Sequence, residues 1–302
     1  MTEAVADPPT HVLTIDVEDW YHLSGEQIRG TGRLQPERLA GQLDRLLELL
    51  ARHGSRATFF CLGGSLAQAP QLVRQIAAAG HEVGTHGWGH EPIRQIGLAA
   101  FREDLRRSID WLQDLLGRPV QGYRAPAFSV TAEQLAGFHD ACFELGLSYD
   151  SSVFPIRGAR YGIPNAPAMP HVVREGNGRR FVELPLSTVQ WAGRTWPVAG
   201  GGYWRLLPVT VILWAIRRLE QEGRPMVTYL HPYEFDRQRL SATEAAGWSL
   251  RSVKHGFKQN LRRQTMYSKL DVVLARHRFT AVEDYLRERP RLPTYDPGAD
   301  LL

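Results

Sequence analysis

The chain has 302 residues, 43% hydrophobic and 23% charged, with a net charge of +4. That is long enough to bury a full core without metal or disulfide staples, and the ordinary composition excludes a disordered or fibrous chain. The basic residues are dispersed apart from Arg217–Arg218 and Arg262–Arg263, which argues against a nucleic-acid platform, and the longest apolar run, near Leu206–Ile216, is too short to form a transmembrane segment.

In chain order, the N-terminal MTEAVADPPTHV carries acids and two prolines and lacks a basic–apolar–small pattern, so a cytoplasmic location is expected. His11–Ile15 reads as a buried strand. Pro36–His53 reads as an amphipathic helix with Leu39, Leu43, Leu46, Leu47 and Leu50 on one face, Pro36 in its first turn and Gly54 at its end. Ala57–Leu62 is a strand, Leu66–Ala79 a helix and His81–Gly84 a short strand. Leu98–Leu116 is the most regular helix, followed by strand Gln121–Arg124. Next come helix Thr131–Leu145, with Thr131 as N-cap and Gln134 in capping-box position, and strand Leu147–Tyr149. Phe181–Leu184 and Pro225–Leu230 read as strands, and Val209–Glu222 and Met266–His277 as helices. Pro155–Arg180 and Phe235–Thr265 show no strong period and read as long irregular segments. Cys61 and Cys142 sit in apolar contexts and read as buried free thiols.

Strands alternating with helices predict parallel βα units. No Gly-rich phosphate loop follows the first strand, so a barrel fits better than a dinucleotide-binding fold. In such barrels the active site is built at the C-terminal ends of the strands. The ionisable residues gather at those ends: Asp16, Glu18 and Asp19 after the first strand, His86 and His90 after another, then Arg124, Asp150 and His231. His86-Gly-Trp-Gly-His90 holds two imidazoles in a segment whose glycines disfavour regular helix, so a loop is expected; imidazole suits zinc and related metals. Two histidines need a carboxylate as third ligand if a position is to stay open, and a second carboxylate can act as base. Strand alternation puts Asp16 and Glu18 on one side, while Asp19 has the shorter reach, so either Glu18 or Asp19 fits as the metal carboxylate. His231 ends an apolar strand, where it could donate a proton or serve as a buried structural histidine.

These segments together resemble the polysaccharide deacetylase family, also called the NodB-homology or carbohydrate esterase family 4 group. The resemblance rests on Thr14-Ile-Asp-Val-Glu-Asp19, Gly80-His-Glu-Val-Gly-Thr85 with His86–His90, Arg124-Ala-Pro126, Asp150-Ser-Ser and Leu230-His231. The first motif departs from the family's Thr-Phe-Asp-Asp-Gly: Val17 stands where the metal carboxylate usually follows. Asp-Val-Glu-Asp-Trp-Tyr, Gly200-Gly-Gly-Tyr-Trp-Arg-Leu-Leu-Pro208 and His231-Pro-Tyr-Glu-Phe-Asp236 further resemble the subgroup found with exosortase-type exopolysaccharide clusters, which carries an extra C-terminal region. The resemblance implies a distorted (β/α)7 barrel over residues 10–234 with a C-terminal extension at 235–290. It also implies a divalent metal, usually zinc, and hydrolysis of N-acetyl groups on an amino-sugar glycan. In that reading Asp16 is the base, His231 the acid, Arg124 the partner of Asp16, Asp150 an orienter of His231 and the Ala127 N–H an oxyanion donor; from the residues alone Asp150 could equally cap the turn Asp-Ser-Ser. Trp88, Tyr203 and Trp204 are candidates for stacking on sugar rings, with core packing as the competing role. A hydrolase of small amides and a non-catalytic glycan-binding barrel are the alternatives.

Overall fold

The computed structural model describes residues 10–20, 34–158, 161–243 and 247–295. Tyr21 and the first nine residues of the N-terminal stretch considered above lie outside the described residues. The strands are β1 (His11–Val17), β2 (Thr58–Cys61), β3 (Glu82–Thr85), β4 (Gly122–Tyr123), β5 (Tyr149–Asp150), β6 (His171–Gly176), β7 (Arg179–Glu183), β8 (Thr188–Trp191), β9 (Arg194–Pro197), β10 (Val227–Leu230) and β11 (Phe279–Thr280). The α-helices are α1 (Pro36–Arg52), α2 (Gly63–Leu66), α3 (Pro70–Ala78), α4 (Ile93–Leu116), α5 (Leu135–Glu144), α6 (Gly201–Leu206), α7 (Val209–Gln221), α8 (Leu250–Asn260), α9 (Met266–Leu274) and α10 (Val282–Glu288).

Seven strands run parallel in the order β10-β1-β2-β3-β4-β5-β7, and β6 adds an antiparallel edge. The two ends of this row approach each other. Ser187, just past β7, donates its N–H to the Val227 carbonyl of β10, and its hydroxyl accepts the Val227 N–H. The sheet is therefore a curled, distorted barrel, as expected. The pleat gives it two faces. In β1, Leu13, Ile15 and Val17 join the core between sheet and helices, whereas Val12 joins Phe60, Tyr149, Val182, Val227 and Tyr229 inside the barrel. Helix α1 forms as its leucine spacing requires. Leu39, Leu43, Leu46, Leu47 and Leu50 are all buried, each contributing about 1.5–3 kcal/mol of apolar transfer.

Four local readings change. Helix α4 begins at Ile93, ahead of the expected Leu98, because Gly97 adopts φ 74°, ψ 169° and lets two helical pieces meet at a kink. Thr131 makes no side-chain cap bond; a 3-10 turn at Ala132–Gln134 precedes α5 instead. The segment Pro155–Arg180 contains β6, which pairs with β7 across the turn at Asn177–Gly178. A register shift between Val172 and Arg174, followed by the exposed pair Arg174 and Glu175, interrupts its alternation. Phe235–Thr265 contains α8, whose inward face is polar and small.

Residues beyond 235 are woven into the barrel. Strand β11 pairs with the start of β1. Val282 and Tyr285 of α10 join the apolar cluster inside the barrel, and the Val282 and Glu283 N–H groups bond the Thr58 hydroxyl and the Glu82 carboxylate. Both cysteines are buried and unbridged. Among the described residues, no helix is long and apolar enough to cross a membrane.

Candidate active site

Alternation along β1 decides how its acids are aimed. Even-numbered positions face the barrel interior, so Asp16 points inward and Glu18 continues on that side. Glu18, His86 and His90 bring ligand atoms within 4.8 Å of one another. Asp19 is buried but is not in that group, so of the two open candidates it is Glu18 that meets the histidines. The Glu18 Oε2–His90 Nε2 distance is 2.5 Å, and Oε1 lies 3.4 Å from His231 Nε2. Burial would raise the Glu18 carboxyl, but the His90, His231 and His86 imidazoles outweigh it and hold it well below the usual carboxylate range.

The histidine loop is braced from three sides. His86 Nδ1 lies 2.8 Å from the Arg124 carbonyl. A carbonyl can only accept, so Nδ1 carries the proton and Nε2 keeps its lone pair. Burial pushes the His86 pKa below its ordinary value, which also favours the neutral ring. Asp104 of α4 accepts the N–H groups of Trp88 and Gly89, at 2.8 and 2.7 Å. The Gly63 and Gly64 N–H groups donate to the Gly87 and Trp88 carbonyls. Gly87 has φ 79°, and a Cβ there would meet Asp104 Oδ2 at 2.7 Å, so a side chain would break both the turn and the brace. Two imidazoles and a carboxylate form a donor set suited to a zinc-like divalent cation with an open position.

Beside this cluster, Arg124 is fully buried and satisfied. Its Nη1 donates to Asp16 Oδ1 at 2.9 Å and to the Thr14 hydroxyl at 2.5 Å. Its Nε and Nη2 reach the carbonyl and hydroxyl of Ser151. Asp150 does not approach His231. In β5, Tyr149 points into the barrel and Asp150 outward, toward His139 and Glu183. There it accepts the Ser152 N–H and hydroxyl, and the Ser152 hydroxyl accepts the Ala125 N–H. The Asp-Ser-Ser motif is thus a brace for the end of β4: Asp150 caps its own turn, the alternative role, and the expected contact with His231 is corrected. Burial and the neighbouring Glu183 hold the Asp150 carboxyl well above its ordinary value.

The partner of His231 is Glu234, one turn on, with Oε2 3.9 Å from His231 Nδ1. Burial would lower the His231 pKa, but Glu18 and Glu234 raise it to about 10. Glu234 lies outside the candidates that strand-end position picks out in the sequence. The glycine run Gly200–Gly202 leaves room for it: a Cβ on Gly201 would meet Glu234 Oε2 at 1.8 Å, and one on Gly200 would meet Tyr229 at 2.3 Å. Arg263 then clamps the turn by donating to the Tyr233 and Asp236 carbonyls.

Asp16, Glu18, His86, His90, Ala127, Tyr203 and His231 line one cavity of about 480 Å³. Ala127 and Phe128 have φ 52° and 51°, left-handed backbone for non-glycine residues, and His90, also lining the cavity, has φ 57°. The other two aromatic candidates lie elsewhere. Trp204 is buried in the core with Nε1 donating to the Val198 carbonyl. Trp88 packs against Trp111 and under the Arg107 guanidinium, away from the cavity.

Residues 36–144 match the polysaccharide deacetylase family, and residues 151–287 match the domain of unknown function DUF3473. A peptidoglycan deacetylase of Helicobacter pylori is 30% identical over 153 residues, which is 49% of this chain and 46% of that protein. A peptidoglycan-N-acetylglucosamine deacetylase of Bacillus cereus is 29% identical over 91 residues, 30% of this chain and 33% of that protein. The chain thus spans less than half the length of either curated relative. A solved structure from Mycobacterium smegmatis, assigned as a polysaccharide deacetylase, shares the fold with a TM-score of 0.57 at 19% identity, covering 95% of this chain and 97% of that one. The barrel and its ordered motifs thus stand beside a polysaccharide deacetylase match over residues 36–144 and a DUF3473 match over residues 151–287.

Proposed function

We propose that the protein is a metal-dependent N-deacetylase of amino sugars in a glycan. The observation that carries this is the convergence of Glu18, His86 and His90 on one point beside Asp16 and His231, in a single cavity. A divalent metal, zinc by the character of the donors, would be held by those three residues and would supply Lewis acidity toward an acetamide carbonyl. Asp16, oriented by its bond from Arg124, takes the proton of the attacking water. His231, flanked by Glu234, returns a proton to the departing amine. The Ala127 N–H serves the developing oxyanion. Tyr203 offers a face for a sugar ring at the wall. The deacetylases named among the relatives support this chemistry. The second motif set shared with the exosortase-associated subgroup supports a role in exopolysaccharide biosynthesis.

Acetate release from a panel of N-acetylated oligosaccharides tests the reading, run with metal-loaded protein, chelated protein and Asp16→Asn. Acetate that requires both metal and Asp16 is expected. Metal binding without acetate from any oligosaccharide would instead favour a hydrolase of small amides or a binding barrel.

A further inference from the structure

Helix α8 is built inside out. An amphipathic helix on a globular protein turns its apolar stripe to the core. Here the buried residues are Ser252, His255 and Gly256. Gly256 faces Ala242, and Asn260 ties the helix end to the backbone of Leu240. The apolar residues point out: Trp248 is 81% exposed, Leu250 68%, Phe257 64% and Val253 46%. The spacing Leu250, Val253, Phe257, Leu261 is one helical stripe. Arg251, Lys254, Lys258 and Arg262 interleave with it, and no acidic residue occurs from Trp248 to Leu270. Leu206 and Leu261, both exposed, carry the same apolar surface to the mouth of the cavity, which they line together with Lys258.

We propose that α8 is an interfacial anchor that docks the protein on an anionic lipid surface. Outward aromatic and aliphatic side chains flanked by Lys and Arg are the pattern of a helix lying in the headgroup plane. The charge pattern separates this occupant from a second copy of the chain, because two such faces would bring basic rows together without acids to offset them. Nucleic acid would be attracted by the basic residues but would leave the apolar stripe in water. Docked this way, the cavity mouth opens at headgroup level. If the deacetylase reading holds, that is where a glycan attached to a membrane lipid would meet it.

Flotation of the full chain with vesicles tests this without using turnover, so its failure is distinct from failure of the deacetylase reading. Vesicles of phosphatidylcholine–phosphatidylglycerol are expected to carry the protein, those of phosphatidylcholine alone to carry much less, and salt to weaken binding. Arg251→Gln and Lys254→Gln should each lower partitioning about fivefold. Leu250→Ser with Phe257→Ser should lower it at least about tenfold. Neither of the last two residues lines the cavity, so circular dichroism and turnover of a soluble substrate should stay unchanged. No flotation with anionic vesicles, or flotation insensitive to all four substitutions, would overturn the proposal. So would a change of oligomeric state in the serine variant in the absence of vesicle binding.

Discussion

Two clusters of identical composition, two histidines and a glutamate, sit at opposite ends of β1. Glu18, His86 and His90 lie past its C-terminal end; His11, Glu220 and His277 lie at its start. Spacing and residue type do not distinguish them. The backbone does. His86 Nδ1 meets the Arg124 carbonyl, so its Nε2 lone pair faces Glu18. His11 Nδ1 instead accepts the Met226 N–H at 3.0 Å, so its Nε2 carries the proton and donates to Glu220 at 3.1 Å. Placing a cation on His11 Nε2 would require moving that proton to Nδ1, against the N–H already there. In one cluster His86 keeps a free Nε2 lone pair beside Glu18 and His90; the other is a completed hydrogen-bond network under the barrel.

The strongest way to break that contrast is to count metal. One divalent ion per chain is expected by elemental analysis. His90→Ala should abolish it, an effect exceeding the about 10–100-fold that outer partners of a metal site are worth. His277→Ala should leave the count unchanged. Two ions in the native protein, one lost with His277, would sink the tautomer argument. Asp16→Asn sharpens the contrast from the catalytic side: turnover should fall about 10²–10⁴-fold with the metal retained, because Asp16 is not in the ligand group. Asp104→Ala comes next. It removes the acceptor for two N–H groups of the histidine loop, and the metal Kd should weaken about 10–100-fold, measured by chelator competition.

The upper cluster was largely legible in the sequence because its residues follow strand ends, and alternation in β1 separates Glu18 from Asp19 once the strand is known to run to Val17. Arg124 was legible for the same reason. Asp150 was assigned correctly to a strand end but to the wrong face, since a two-residue strand shows too few positions to read its alternation. Glu234 and Asp104 were not legible as site residues. One reaches its partner within a short turn after β10 and the other from a helix 15 residues beyond the loop it braces, and neither distance leaves a periodic mark. Trp204 shows why an aromatic beside a glycine run is ambiguous. Tyr203 and Trp204 are neighbours on α6, and the helix turns one to the cavity and the other to the core. Helix α8 escaped because its apolar residues face out.

The smallest expected effect concerns the lower cluster and its pH dependence. His11 is enclosed by Glu220 of α7, by His277 and by the Phe279 ring. Burial pushes its pKa down from 6.5 to about 4, against the opposing pull of Glu220. Between those values the unfolded chain binds a proton that the native state refuses, so this group's contribution to stability is present above pH 6.5 and is lost as pH falls toward 4. The loss is about 3 kcal/mol at the acid end of the window. His11→Gln can still accept from Met226 and donate to Glu220, and it does not titrate. At neutral pH the variant should be slightly less stable than the native protein, by about 1 kcal/mol from poorer packing and imperfect bonds. As pH falls through the window the native protein should lose its advantage and then become the less stable of the two. Urea unfolding of both proteins at neutral and acid pH measures this directly. A stability difference that stays constant across the window would mean that His11 does not resist protonation, and the lower cluster would then be free to rearrange its protons as a metal site must.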